Sequence, residues 1–194
     1  MPIVCLQAGN VNTGACDDLR TGCALVHEHG GWVHVDGAFG LWTARSDCGA
    51  AASPATRHLV GSGVEPALAD FTVESSRRAR GFAVWAALRE LGRTGVAELV
   101  DRCRALARRF ADGLVAAGFE VCNEVVLNQV LVSFGEDART DRMVEAVQQD
   151  GTCWMGGTTW RGRRLMRISV SNATTTEADI DRSLAAIRRL ALQI

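Results

Sequence analysis

The stretch Trp32-Val33-His34-Val35-Asp36-Gly37-Ala38-Phe39-Gly40 decides the fold. Its first residues predict a short buried strand in which alternation places His34 and Asp36 on one face and the two valines on the other. The strand stops at an acid that is followed at once by small residues. In an α/β sheet, ligands bind outside the carboxyl ends of the strands, so Asp36 stands at a favourable position for a ligand contact. Gly37 and Ala38 allow a flat ring to approach the backbone closely.

Two interpretations of Asp36 follow from this pattern. A carboxylate at this position can face the nitrogen of a pyridine ring and keep it protonated, so that the ring accepts electrons from a breaking bond, as pyridoxal phosphate does. Alternatively, Asp36 caps the following turn or pairs with an arginine. The strand pattern alone leaves both interpretations open.

Composition and charge set the class of protein. The chain has 194 residues, a length that suffices for one domain with a core, or for one domain and a small satellite. Its formal net charge of -1 gives no electrostatic reason to expect binding to nucleic acid or to membrane surfaces. No apolar run reaches the length of a membrane span, and the first residues lack a basic region that leads into an apolar core. We therefore expect a cytoplasmic protein.

The cysteines and histidines predict neither disulfides nor a metal site. The seven cysteines are scattered and include no C-x-x-C pair, so we expect reduced, mostly buried thiols. The spacing of His27, His29 and His34 fits no zinc pattern, and no metal is predicted.

Lysine is absent from the sequence: all 21 positions that are Lys or Arg are arginine. A Schiff base between a carbonyl cofactor and an enzyme requires a lysine amine. The chain therefore offers no lysine for that role, and no catalytic residue can be assigned.

The order of elements predicts an α/β protein in two parts. Residues 3–40 give a strand–helix–strand unit, the signature of a parallel sheet. Two helices meet near Gly92, the second with Thr94 as its N-cap. An α+β part follows, with strands, a loop at Gly156-Gly157-Thr158-Thr159, and a last helix capped by Thr176 with Asp179 placed for a capping box. We place the domain boundary between residues 1–93 and 94–194.

Several segments resemble one family in the family's own order. They are Leu6-Gln7-Ala8-Gly9-Asn10-Val11-Asn12-Thr13-Gly14-Ala15, His34-Val35-Asp36-Gly37-Ala38-Phe39-Gly40-Leu41-Trp42, Ser76-Arg77-Arg78-Ala79-Arg80-Gly81 with Trp85-Ala86-Ala87-Leu88, and Met166-Arg167-Ile168-Ser169-Val170-Ser171-Asn172. They resemble the pyridoxal-phosphate-dependent amino acid decarboxylases, in the group that holds the glutamate, aromatic-L-amino-acid and histidine decarboxylases. The resemblance implies a partial fold-type I enzyme: a remnant of the large parallel-sheet domain followed by the small C-terminal α+β domain.

The resemblance also implies roles for individual residues. Asp36 would pair with the pyridine nitrogen, Ala38 would pack against the ring and His34 would support that contact. Asn10 and Asn12 lie on the loop that borders the ring substituents in relatives, although relatives often have threonines there.

Two arginine sites allow more than one interpretation. Arg167 matches the arginine that relatives direct at the substrate α-carboxylate, a task suited to a bidentate guanidinium; without the resemblance it would be an ordinary ion pair. The arginines at 77, 78 and 80 are interpreted as a solvated helix face or interface contacts rather than a phosphate site.

The departures from the family limit the expected activity. The family's cofactor lysine, its strand and the catalytic loop have no counterpart here, because residues 63–70 lead almost directly to residues 75–78. Pyridoxal 5'-phosphate is the implied cofactor, but not as a Schiff base with a lysine. We expect an amino acid decarboxylase (a carbon-carbon lyase) by lineage, inactive or impaired alone. The alternatives are a non-catalytic chain that pairs with a full-length homologue, or a decayed fragment; a homodimer, or a dimer with a homologue, is the expected assembly.

Overall fold

A computed structural model describes residues 1–40 and 81–194 of the chain. Several sequence predictions lie outside this part of the chain. They are the end of the second motif at Leu41-Trp42 and the part of the third motif that contains the arginines at 77, 78 and 80.

The first unit, residues 1–40, is the predicted strand–helix–strand. It contains β1 (Ile3–Gln7), α1 (Leu19–Glu28) and β2 (Trp32–Asp36), and the two strands pair in parallel. Helix α1 begins after Asp18, whose Oδ1 accepts a hydrogen bond of 3.0 Å from the backbone N–H of Thr21. That bond satisfies one of the free N–H groups at the helix start. The parallel unit predicted from the sequence is confirmed.

Among the described residues, side chains pack on one face of this two-stranded sheet and none pack on the other. Leu6 and Val35 pack against the buried Leu19 and Ala8. The other face carries the register partners Ile3 and Trp32, exposed by 69% and 49%. We call this face, with the exposed Cys5 and His34, the bare sheet face. The alternation predicted for β2 is confirmed, but the prediction of a buried strand is wrong for this face, because no described residue packs on it.

A long helix opens the second described part of the chain. Helix α2 (Gly81–Ala116) contains a non-helical residue, Gly92, with φ 62° and ψ −170°. The residues before Gly92 are exposed, whereas the later part contributes Cys103, Leu106, Phe110 and Leu114 to the core. The helix break predicted at Gly92 is confirmed, and the domain boundary beside it stays a prediction.

The second unit, residues 94–194, is an antiparallel sheet with helices on one face. The order of strands in this sheet is β3-β4-β6-β5. Its elements after α2 are β3 (Glu120–Val121), β4 (Gln129–Ser133), α3 (Asp137–Asp150), β5 (Gly156–Trp160), β6 (Arg163–Ser169) and α4 (Glu177–Ala191).

Strand β5 corrects the sequence prediction of a loop over Gly156–Thr159. Two glycines weaken the local preference for a strand. At the sheet edge, however, the five backbone pairs with β6 form the strand regardless. Gly157 also leaves room for the side chain of Arg164, which a Cβ at that position would meet.

The core of the second unit lies between the sheet and its helices. Alternation places Val130, Val132, Met166 and Ile168 on the helix-facing side of the sheet, where they join the buried side chains of α2, α3 and α4. The capping box predicted for α4 is confirmed: Asp179 Oδ2 accepts a bond of 2.8 Å from the N–H of Thr176.

The cysteines in the described part of the chain are not mostly buried. Of the six in the described part of the chain, Cys103 alone is buried, while Cys5 and Cys16 are exposed. The prediction of mostly buried thiols is therefore wrong. None of the helices described here combines the length and the apolar character that crossing a lipid bilayer would require.

Candidate functional site

The carboxyl ends of β1 and β2 meet at one edge of the first unit. Gln7 and Asp36 are register partners, so their side chains leave the same face of the sheet. The N–H of Ala8 donates to the carbonyl of Asp36, and the N–H of Gly40 donates to the carbonyl of Ala8, both at 2.8 Å. These bonds hold the loops that follow the two strands together. We call this region, residues 7–15 and 36–40, the ligand edge.

Asp36 is exposed at the ligand edge. Its Oδ1 accepts a hydrogen bond of 3.1 Å from the N–H of Ala38. One oxygen of the carboxylate therefore caps the turn, as the alternative interpretation of Asp36 predicts. Within the described residues no arginine pairs with it. His34 and Ala38 are exposed as well and lie at alternate positions beside Asp36. The contact between Asp36 and a pyridine nitrogen stays a prediction.

Asn10 folds the loop after β1. Its Oδ1 accepts from the backbone N–H groups of Asn12 and Thr13 at 2.9 and 3.2 Å, which makes an Asx turn. Its Nδ2 donates to Gln7 Oε1 at 3.0 Å. The amide of Asn10 thus connects the loop to the side chain beside Asp36. The cofactor contact predicted for Asn10 stays a prediction. The hydrogen bonds of its side chain in the structure hold the loop in place.

Asn12 connects the ligand edge to the second unit. Its Oδ1 accepts a hydrogen bond of 2.9 Å from Thr158 Oγ1 on β5, 146 residues away. Next to it, the carbonyl of Thr13 accepts from Asn123 Nδ2 at 3.2 Å. The loop therefore lies against the face of the second sheet that is opposite its helices.

Arg167 lies on that same face. It is half-buried on β6, with Leu131 and Gly156 as its register partners on the two neighbouring strands. Thr158 pairs with Leu165, two residues before Arg167, so Thr158 and Arg167 are diagonal neighbours. Residues in that relation are about 7–8 Å apart. The structure thus brings the Asn12 loop and Arg167 together.

Arg167 differs from the other arginines of its strand. Arg163 contacts Glu120 at 2.6 Å and Arg164 contacts Asp141 at 2.7 Å. The Arg163 guanidinium holds the pKa of the Glu120 carboxyl below its usual value. With the described residues, Arg167 makes no side-chain hydrogen bond and no ion pair. The ordinary ion pair considered for Arg167 is therefore not found in this part of the chain.

Two residues that join this site, Gln7 and Thr158, have no individual role in the sequence prediction. Gln7 is the acceptor for Asn10, and Thr158 is the donor to Asn12. Gln7 belongs to the first of the motifs that resemble the family, but its role depends on its register with Asp36. The sequence predicts a loop at Thr158, whereas its place on strand β5 lets its hydroxyl contact Asn12.

The residues fit part of a pyridoxal phosphate site. An exposed carboxylate at the end of a strand, followed by Gly37 and Ala38, suits a flat, protonated ring. The guanidinium of Arg167, which pairs with no acid in the described part of the chain, can bind a carboxylate. The lysine amine for covalent attachment does not fit, since the sequence contains no lysine.

Comparison with known proteins supports the fold and a family domain. The model of the pyridoxal-dependent decarboxylase conserved domain matches residues 51–135, a range that contains neither Asp36 nor Arg167. One similar solved structure is the glutamate decarboxylase domain of diaminobutyrate-pyruvate transaminase and L-2,4-diaminobutyrate decarboxylase from Vibrio parahaemolyticus. The match has a TM-score of 0.80 at 20% identity and covers 100% of this chain and 47% of that one.

Two further structures show how widely the fold is shared. Oryza sativa TDC, solved with PLP and tryptamine, matches with a TM-score of 0.77 at 18% identity and covers 98% of this chain and 50% of its own. A cysteine desulfurase from Escherichia coli matches with a TM-score of 0.72 at 19% identity, covering 99% of this chain and 59% of that one. A desulfurase and decarboxylases share this fold, so the fold alone does not fix the reaction.

The chain spans about half the length of the solved structures it matches, which agrees with a partial fold. The resemblance to the pyridoxal-phosphate-dependent decarboxylases is confirmed by the family domain at residues 51–135 and by the decarboxylase structures matched over the whole chain.

Proposed function

We propose that this chain is a decarboxylase derivative that binds pyridoxal phosphate compounds without a covalent bond and, alone, does not turn over amino acids. The observation that carries the proposal is Arg167 beside the ligand edge, which has no ion-pair partner among residues 1–40 and 81–194, in a chain without lysine. When bound, pyridoxal phosphate supplies a ring that accepts electrons as carbon dioxide leaves an amino acid.

Each residue at the site has a separate task under this proposal. The Oδ2 atom of Asp36 holds the proton on the ring nitrogen, while its Oδ1 atom caps the turn. Ala38 contacts the ring face, and His34 supports Asp36 from two residues earlier on the same face. Arg167 binds the α-carboxylate of the amino acid with two parallel hydrogen bonds.

A stable adduct tests binding without requiring a lysine. N-(5'-phosphopyridoxyl)-L-alanine contains the ring, the phosphate and an α-carboxylate in one molecule. We expect the wild-type chain to bind it, with the affinity reduced about tenfold or more in Asp36→Asn and in Arg167→Gln, because each change removes a charged hydrogen-bond partner. Equal affinity in all three proteins would contradict the proposal.

One chemical measurement tests the loss of turnover. Carbon dioxide release from the amino acids should stay at the level of the buffer. Sustained release of carbon dioxide by the purified chain would show that the chain is an active enzyme.

A second candidate function is a non-catalytic chain that pairs with a full-length homologue. Its support is the bare sheet face, together with the exposed Phe82, Trp85 and Leu88 of α2, which are 76%, 63% and 39% accessible. Parallel sheets are usually covered on both faces, so this surface is suited to a partner. Co-purification with a lysine-bearing homologue, with activity altered only in the mixture, would favour this function. A broad, non-cooperative thermal melt would instead favour a decayed fragment.

A further inference from the structure

We infer that Thr158 is a positioning residue for the carboxylate-binding site, which it serves by fixing the Asn12 loop beside Arg167. The inference rests on the proposed function, in which Arg167 binds the α-carboxylate. The sequence places Thr158 in the segment before Arg167, and the structure adds the contact of its hydroxyl with Asn12.

The first step is the continuity of the hydrogen bonds across the ligand edge. Gln7, the register partner of Asp36, accepts from Asn10; Asn10 accepts from the N–H of Asn12; and Asn12 accepts from Thr158. The path begins beside the proposed ring contact and ends on the sheet that carries Arg167. Its bonds are 2.9–3.0 Å long, so each has ordinary hydrogen-bond geometry.

The second step is the position of Thr158 relative to Arg167. The two residues are diagonal neighbours on one face of the antiparallel pair, and the residue directly across from Arg167 on β5 is Gly156. A glycine there leaves the space above β5 open beside the guanidinium. Asn12, which is bound to Thr158, borders this space on the side of the ligand edge. The distance between the proposed ring contact and the proposed carboxylate contact therefore depends on this bond.

The third step concerns the other contacts of the loop. The carbonyl of Thr13 accepts from Asn123, and a Cβ on Gly14 would stand 2.9 Å from the Cβ of Leu127. These contacts lie toward β4, away from β5. They keep the loop on the sheet when Thr158 is changed, but they do not fix its edge beside Arg167. Loss of the Thr158 hydroxyl should thus shift the loop locally without releasing it.

The test compares two ligands that differ in the carboxylate. The probes are N-(5'-phosphopyridoxyl)-L-alanine and pyridoxamine 5'-phosphate, which lacks the amino acid. The proteins are full-length wild type, Thr158→Val, Thr158→Ser and the control Thr159→Val, whose side chain is exposed at the next position of β5. Valine keeps the shape of threonine without its hydroxyl, and serine keeps the hydroxyl.

We expect Thr158→Val to weaken binding of the phosphopyridoxyl-alanine probe about fivefold to tenfold and to leave pyridoxamine 5'-phosphate within about twofold. Thr158→Ser should restore most of the loss, and Thr159→Val should behave as wild type. A purely structural role would weaken both probes equally.

The outcomes separate this inference from the proposed function. If wild type binds the carboxylate probe more tightly and Thr158→Val binds both probes as wild type does, the inference is wrong and the proposed function stands. Equal losses for both probes would likewise overturn the positioning role alone. If wild type binds neither probe, or gains nothing from the carboxylate, the proposed function fails and Thr158 has nothing to position.

Discussion

Gly9 and Gly40 lie back to back at the ligand edge: a Cβ built on Gly9 would stand 2.7 Å from the Cα of Gly40. Gly9 also has a φ of 89°, a conformation that other residues rarely adopt. The loops after β1 and β2 can therefore contact each other through their backbones, and the bond from Gly40 to the carbonyl of Ala8 forms at this point.

Replacement of Gly9 should loosen the ligand edge more than a matched replacement elsewhere. Gly30 also has a positive φ, of 64°, but a Cβ there would meet nothing within 4 Å. We expect Gly30→Ala to cost about 1–2 kcal/mol from backbone strain, and Gly9→Ala to cost a further 1–3 kcal/mol, roughly, from the steric overlap. Hydrogen exchange of peptides from residues 1–40 measures the difference. Equal protection of these backbone amides from exchange in Gly9→Ala and Gly30→Ala would contradict the close contact between Gly9 and Gly40.

Removal of the cap of α4 should destabilise the second unit. Thr176 and Asp179 form a reciprocal capping box. Thr176→Ala leaves a backbone N–H at the helix start without its side-chain acceptor, and should lower the free energy of unfolding by about 1 kcal/mol in urea denaturation. Thr175→Ala is the control, because the hydroxyl of Thr175 makes no side-chain hydrogen bond within the described residues. A similar loss in the control would mean that the cap contributes little.

Acid should weaken the contact between α2 and α4. Arg109 forms two hydrogen bonds to Asp181, at 3.0 and 2.8 Å, and holds the pKa of the Asp181 carboxyl below its usual value. A carboxyl whose native pKa is lowered contributes stability above its unfolded pKa, about 4, and loses it as the pH falls through the native pKa. The melting temperature of wild type should therefore fall more steeply below pH 4 than that of Asp181→Asn.

Asp112→Asn supplies the control for that experiment. Asp112 lies on α2, the helix that carries Arg109. It is exposed and makes no ion pair with described residues. Its variant should follow the wild-type dependence on pH. If Asp181→Asn also follows the wild type, the contact contributes nothing measurable in solution.

The bare sheet face should promote self-association of the isolated chain. Ile3 and Trp32 are exposed register partners on a two-stranded parallel sheet, and such apolar sheet surface favours association. Trp32→Lys should shift the sedimentation profile toward monomer at micromolar concentration. Trp154→Lys removes an equally large side chain, exposed by 78%, from outside that face, and should leave the profile unchanged. The opposite ranking of the two variants would place the associating surface elsewhere.

Much of the fold could be predicted from residues that are close together in the sequence. Examples are the alternation around His34 and Asp36, the helix break at Gly92 and the capping box of Thr176. Strand β5 was missed because its stability comes from pairing with β6, which outweighs the weak strand preference of Gly156 and Gly157.

The candidate site was less predictable because its geometry depends on distant residues. The family resemblance pointed to Asp36 and Arg167, but the bond between Asn12 and Thr158 crosses 146 residues and leaves no local pattern. The exposure of Trp32 was also unexpected, because an apolar strand is expected to be covered and nothing within the strand shows whether a neighbour is present.

The length of the Asn12–Thr158 connection has a consequence for assembly of the protein. Contacts inside the second unit join residues much closer in sequence, such as Arg163 and Glu120, which are 43 positions apart. Closing a longer loop is entropically more costly, so we expect the Asn12 loop to dock after the second unit has folded. Molecules between these two steps would retain a native core and lack a ligand-competent edge. A folded fraction measured on the core would then overestimate the fraction that can bind a ligand.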